Sequence, residues 1–252
     1  MRCSRLLIVI LLSASCCLEA AEPEFKLPPN GSWTKYRVSG WDSAGNESIG
    51  TITFRLLAGP TEDGVKSRWI EFERGLPTYG NPIVEKYLVP ETALLRSAVP
   101  LREAIRLWYQ EGTNLPERLD FASNVRVFEM RNVVLNHHLL FLPQTRKDWK
   151  PHARNRVIEY QKGKLDCSTA VIGSLVAGYD SRVPSVRFEV TDDCTIWLHK
   201  EIPFGVASAK VNRSMVQVNE RGERSKPDPR GKFELEALDW GGGAQSALPD
   251  AQ

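Results

Sequence analysis

The chain has 252 residues, of which 42% are hydrophobic and 25% charged, with a formal net charge of +2. Apolar content at this level, including seven tryptophans, is enough for one sizeable core or two small ones, and a single domain is the simpler organisation. The near balance of charge gives nucleic acid or an anionic membrane no field to act on, which sets those partners aside.

Residues 1–20 follow the order of a secretory signal peptide: Arg2 and Arg5, the apolar run 6–12, small residues, then Ala20 and Ala21. The run is far short of the roughly 18 residues that a membrane-spanning helix needs, and no later stretch reaches that length without charge, so no transmembrane span is expected after its removal. Cleavage after Ala20 would free the protein. The alternative is lipidation at Cys16, within Leu12-Ser13-Ala14-Ser15-Cys16, which would tether it. Either way the protein is expected to be exported, to the periplasm or cell envelope. Losing Arg2, Arg5 and Glu19 lowers the formal charge by one unit.

Residues 21–32, with Pro23, Pro28 and Pro29, read as an extended lead-in. A single β-rich domain is expected over 33–240. Tyr36 and Val38 alternate with Lys35 and Arg37, and Ile52, Phe54 and Leu56 alternate with Thr51, Thr53 and Arg55, predicting two half-buried strands. Strands are also predicted at 69–74, where Ile70 and Phe72 oppose Glu71 and Glu73, and at 83–89. The short connections, such as Gly59-Pro60 and Asp63-Gly64, hold no crossover helix, so neighbouring strands are expected to be antiparallel.

One helix is predicted to start at Pro100, with Leu101, Ala104, Ile105 and Trp108 at helical spacing and Gly112 beyond its end. A turn or two more is expected within 90–97, making a helical insert over about 91–111. Further strands are predicted at 124–130, 132–142 and 155–161, and 147–156 reads as an exposed basic loop. Strands follow over 167–176, 186–190, 196–198, 206–211, 215–219 and 232–238. Asp192-Asp193 is expected to turn the chain, 220–231 to form a protruding loop, and 241–252 a flexible tail. The fold class is therefore mainly β (α+β): an antiparallel curved sheet or half-barrel with a short helical insert.

Removing the leader takes away Cys3, Cys16 and Cys17 and leaves Cys167 and Cys194. In an oxidising compartment a disulfide between them is the first reading; idle thiols, or a catalytic or metal-binding thiol, are the alternatives. His137 and His138 are adjacent and so point to opposite faces of a strand, where they cannot share a metal; neither a metal nor a cofactor is expected. No glycine-flanked serine, phosphate loop or metalloprotease motif occurs, and no catalytic residue is assigned. The stretch 197–208 stands out: a strand, a Pro203-Phe204-Gly205 corner and a second strand, in which Phe204 is either a packed plug or part of a ligand rim. Trp108, Trp197 and Phe204 are the candidate ligand contacts.

Several segments resemble a group of uncharacterised exported bacterial proteins of planctomycete type. They are Gly31-Ser32-Trp33-Thr34-Lys35-Tyr36, Arg68-Trp69-Ile70-Glu71-Phe72, 197–208 around Ile202-Pro203-Phe204-Gly205-Val206, and Asp239-Trp240-Gly241 onward to Pro249. The strand-and-insert architecture also looks like the open half-barrel of the lipoprotein-carrier (LolA/LolB-like) fold. That likeness implies an apolar cavity and no activity. Three functions compete. The first is a non-enzymatic envelope protein holding a lipid or acyl chain against its curved sheet beneath 91–111. The second is a structural or protein-interaction module of the envelope, using a strand edge or the 220–231 loop, with an envelope protein as partner. The third is a hydrolase built from His138, Asp192 and a serine or cysteine.

Overall fold

A computed structural model describes residues 27–75, 80–96, 100–119, 149–180 and 186–248. The strands are β1 (Ser32–Trp41), β2 (Glu47–Glu62), β3 (Val65–Gly75), β4 (Ile83–Pro90), β5 (Arg106–Glu111), β6 (Glu117–Leu119), β7 (Lys150–Tyr160), β8 (Gly163–Asp180), β9 (Val186–Leu198), β10 (Val206–Asn219) and β11 (Asp228–Gly241). One helix, α1 (Glu91–Arg96), and a 3₁₀ turn, Pro100–Glu103, lie between β4 and β5. All eleven strands form one open, curved antiparallel sheet in the order β6-β5-β4-β3-β2-β1-β11-β10-β9-β8-β7. The mainly-β, antiparallel expectation holds.

The sheet is two meanders joined where β1 pairs with β11, so the first and last strands of the domain are neighbours at its centre. Alternation assigns the faces. Tyr36, Val38, Ile52, Phe54, Leu56, Ile70 and Phe72 share an inner face and are buried in one cluster with Tyr87, Leu107, Ala209, Val211, Leu235 and Ala237. Asp63 and Gly64, at φ 49° and 78°, make the two-residue turn between β2 and β3; positive φ at both positions matches the twist of the flanking strands. At the far end β7 returns towards β11. Gln161 N–H donates to the Leu238 carbonyl at 3.2 Å, Tyr160 stacks on Trp240 at 4.4 Å, and Arg156 meets Glu236 at 3.0 Å.

Several local expectations are corrected. The helix predicted from Pro100 stops after its 3₁₀ turn, and 106–111 is strand β5. A helix would bury Ile105 and Trp108 with Leu101; instead Leu107 is fully buried while Ile105 is 45% exposed, because β4 offers an open edge that pairs with the chain in period-two register. Gly112, at φ 58°, turns β5 into β6. The helix that does form is the six-residue α1 within 90–97. Asp192-Asp193 lies inside β9, and 150–156, expected as loop, belongs to β7. The predicted strands 124–130 and 132–142, His137, His138 and residues 1–20 lie outside the described residues.

Candidate functional site

The inner face is occupied by its own side chains. Phe204, from the turn between β9 and β10, sets its ring 4.1 Å from Phe54 at 74°; Phe54 lies 4.9 Å from Phe72, and Phe72 lies 6.0 Å from Tyr87. Tyr36 donates its hydroxyl to the Val206 carbonyl at 3.1 Å, and burial pushes its phenol well above the usual range. Ala93, Leu94 and Leu101 of the insert join the same cluster. Among the described residues, the ground beneath 91–111 is thus filled with packed side chains where the sequence suggested a ligand. Phe204 is the plug of its two readings. Trp197 is likewise structural: its indole N–H donates to the Arg154 carbonyl at 3.1 Å and the Arg156 guanidinium lies 4.9 Å over its ring.

Buried charge on this face is paired. Arg74 of β3 and Glu85 of β4 form an ion pair, and the Tyr87 hydroxyl donates to Glu85 at 3.2 Å. Asp192 accepts from Arg213 Nε at 2.8 Å and Nη2 at 3.1 Å. Burial raises the Asp192 carboxyl above its ordinary value, with Arg213 pulling the other way. Both oxygens of Asp192 are therefore held by Arg213, and the residue sits in the middle of a strand; its proposed partner His138 is outside the described residues.

Cys167 and Cys194 are buried free thiols. Cys194 pairs in register with Gly173, six residues along β8 from Cys167, which at ~3.3 Å per residue is about 20 Å, against the under ~7 Å between Cα atoms that a disulfide requires. The disulfide expectation is corrected accordingly. Burial also pushes the Cys167 thiol up, against the pull of Arg156, so it lacks the depressed value of a nucleophile. Alkylation of the native protein is expected to leave both residues unmodified, and alkylation after unfolding without reductant to modify both; a bridged pair would stay unmodified until reduced. Peptide mapping distinguishes these results.

On the outer face a different site is assembled. Leu57 of β2 opposes Trp69 of β3, Glu71 of β3 opposes Lys86 of β4, and Lys86 opposes Trp108 of β5. The chain end, expected to be flexible, is docked here through Leu248. Ala244 N–H donates to the Gly31 carbonyl at 2.9 Å, the Ser246 hydroxyl donates to Glu71 at 2.6 Å, and Ala247 N–H reaches the same carboxylate at 3.0 Å. Leu248 is buried against this face. Between the tail and the sheet runs an open groove of about 610 Å³, lined by Leu57, Ala58, Trp69, Lys86, Ser246 and Leu248 among others. Lys86 is only 4% exposed, and its Nζ lies 4.8 Å from the Trp69 ring centroid. Glu71 is engaged by Arg55 at 2.9 Å as well as by the tail.

Of the three tryptophan and phenylalanine candidates, only Trp108 neighbours Lys86, half-buried across the β4–β5 pair. Trp69 and Lys86 were not singled out by the sequence. Trp69 stood in view as a large aromatic on the polar side of the Ile70/Phe72 alternation, and that was the available signal. Among the described residues no cluster of ligating side chains could hold a metal, and no helix is long and apolar enough to cross a membrane.

No family model matches the chain, and comparison with the curated proteins gives no significant match. Among solved structures it is similar to a DUF1329 family protein from Desulfovibrio piger ATCC 29098, at 11% identity over 87% of each chain with a TM-score of 0.33. It is also similar to a LolA superfamily protein from Nitrosomonas europaea, at 11% identity over 90% of this chain and 91% of that one, with a TM-score of 0.18. Neither similarity bears on function.

Proposed function

We propose that the protein is an exported, non-enzymatic envelope protein that holds a lipid or acyl chain in the groove between Trp69 and the docked tail. The observation that carries this is the groove itself. Its volume, about 610 Å³, falls in the ~300–1,000 Å³ range of small-molecule sites, and among the described residues the apolar side chains of Leu57, Trp69 and Leu248 share the lining with polar Asn30, Gln245 and Ser246 and with the buried Lys86. Such a lining suits binding better than acid–base chemistry, because Glu71 is committed to Arg55 and the tail. The leader read in residues 1–20 supports the envelope setting.

Trp69→Ala tests the reading. Truncating a half-buried indole in a binding wall removes on the order of 1.5–3 kcal/mol of apolar contact, or roughly ten- to hundredfold in affinity. Native mass spectrometry and calorimetry with long-chain amphiphiles are expected to show uptake by the parent protein and that loss in the variant, with the melting temperature monitored as a control. No uptake by the parent protein across chain lengths would reject the proposal and favour a structural module of the envelope.

A further inference from the structure

One wall of the groove is not part of the sheet. Among the described lining residues, Gly243, Ala244, Gln245, Ser246 and Leu248 belong to the tail that follows β11. At the root of this segment Gly243 has φ 77°, and a Cβ added to it or to Gly242 would meet nothing within 4 Å, so the tail can turn there without steric cost. The tail is then seated at two places. The first is backbone against backbone: Ala244 N–H donates to the Gly31 carbonyl at 2.9 Å, and a Cβ on Gly31 would come within 3.1 Å of Gly243 N. The second is Glu71, a fully buried carboxylate that accepts the Ser246 hydroxyl at 2.6 Å and Ala247 N–H at 3.0 Å while Arg55 holds it from the sheet at 2.9 Å. Leu248, 2% exposed, follows directly. Neither Glu71 nor Ala247 lines the groove. The bond between them acts on the groove by fixing Gln245, Ser246 and Leu248, which do.

From this arrangement we infer that Glu71 is the positioning residue of the groove: it latches the tail as a strap, and the bound ligand and the docked tail hold each other in place. The inference rests on the binding function proposed above and specifies how that site is assembled and controlled. A segment held by one buried side chain and a few hydrogen bonds opens at far lower free energy than the sheet beneath it. With the tail undocked the groove loses a wall, so the apparent affinity scales with the docked fraction, and by linkage the ligand favours docking by the same factor. Glu71 is the latch of the two seats, because a carboxylate acceptor makes a bond about twice as strong as the neutral carbonyl of Gly31 does.

The test compares the full mature protein with Ala247→Pro, which deletes the N–H that Glu71 accepts and changes no lining side chain, and with Ala247→Gly, which keeps that N–H. The probes are straight-chain alkanols and alkanoates of graded length, each below its aggregation threshold. If the docked fraction falls to about a tenth, Ala247→Pro binds the probes that the parent takes up about tenfold more weakly, while Ala247→Gly stays within about threefold. The melting temperature is expected to be the same in all three, since the sheet does not depend on this bond. In the parent, saturating probe is expected to slow hydrogen exchange at Ala244 and Ala247 by about tenfold and to leave β1 unchanged, an effect that a merely structural role for Glu71 would not produce. Glu71→Gln should weaken binding in the same direction, and the double variant should lose less than the product of the two single losses, because both cut one bond. Ala247→Pro within about threefold of the parent, exchange in the tail unmoved by probe, or losses that multiply in the double variant overturns the inference and leaves the binding function standing. No uptake of any probe by the parent overturns both. Ala247→Pro and the exchange measurement decide the matter should Glu71→Gln fold poorly.

Discussion

Replacing Arg74 with methionine is expected to cost about 3–5 kcal/mol of stability, the range for breaking a buried ion pair by removing one partner. Arg74 and Glu85 have side chains 3% and 2% exposed, and the Tyr87 hydroxyl closes on the same carboxylate at 3.2 Å. They are diagonal neighbours on the inner face: Arg74 pairs in register with Ile83, and Glu85 with Phe72. Methionine preserves much of the volume of the arginine stem, so the loss reports the guanidinium's charge and hydrogen bonds rather than a cavity. For a domain of this size the melting temperature should fall by roughly 6–20 °C. Replacing both partners, Arg74→Met with Glu85→Leu, should recover most of that loss, since two apolar side chains leave no charge to solvate. A single-variant loss below about 1 kcal/mol would mean that the pair is wetted and behaves like a surface bridge.

That ion pair also shows where reading the sequence stops. The alternation of Ile70 and Phe72 against Glu71 and Glu73 placed β3 and its faces correctly, because a half-buried strand has a strict period of two. Continued one step, the same pattern puts Arg74 on the inner face. A charge at a core position is a signal, but its partner Glu85 sits in a strand that the pattern shows only as an apolar run. The Asp192-Asp193 pair misled for a related reason. Two adjacent aspartates favour a turn locally, but Arg213, 21 residues on, compensates Asp192 across the β9–β10 ladder, so the strand runs through. Nor does anything local announce that β1 pairs with β11, which brings residues about 200 positions apart into register. The groove was least legible of all. It draws Leu57, Trp69 and Lys86 from three strands and Leu248 from a tail whose Gly241-Gly242-Gly243 run suggested looseness.

Phe204→Ala is the second large effect, expected at about 3–5 kcal/mol for a fully buried aromatic removed from a packed core. Phe204 is held in place by its turn: Gly205, at φ 75°, donates its N–H to the Ile202 carbonyl at 2.8 Å, and His199 N–H donates to the Gly205 carbonyl at 2.8 Å. The ring therefore leaves the β9–β10 half of the sheet and lands 4.1 Å from Phe54 in the β1–β6 half, tying together two meanders that the β1–β11 ladder and the Tyr36–Val206 hydrogen bond also join. The cavity left by alanine faces residues fixed in two sheet halves, which limits its collapse, so the cost should fall in the upper part of the range. Phe204→Leu retains part of the volume and should cost less. Hydrogen exchange is expected to rise in both β2 and β10 of the alanine variant, the signature of a lost tie between halves rather than a local fraying. Because the groove at Trp69 and Lys86 is on the opposite face, ligand affinity measured well below the melting transition should stay within about threefold of the parent value, or ~0.7 kcal/mol. A variant that keeps its melting temperature but loses binding would reverse the assignment, making Phe204 the ligand contact and the outer groove incidental.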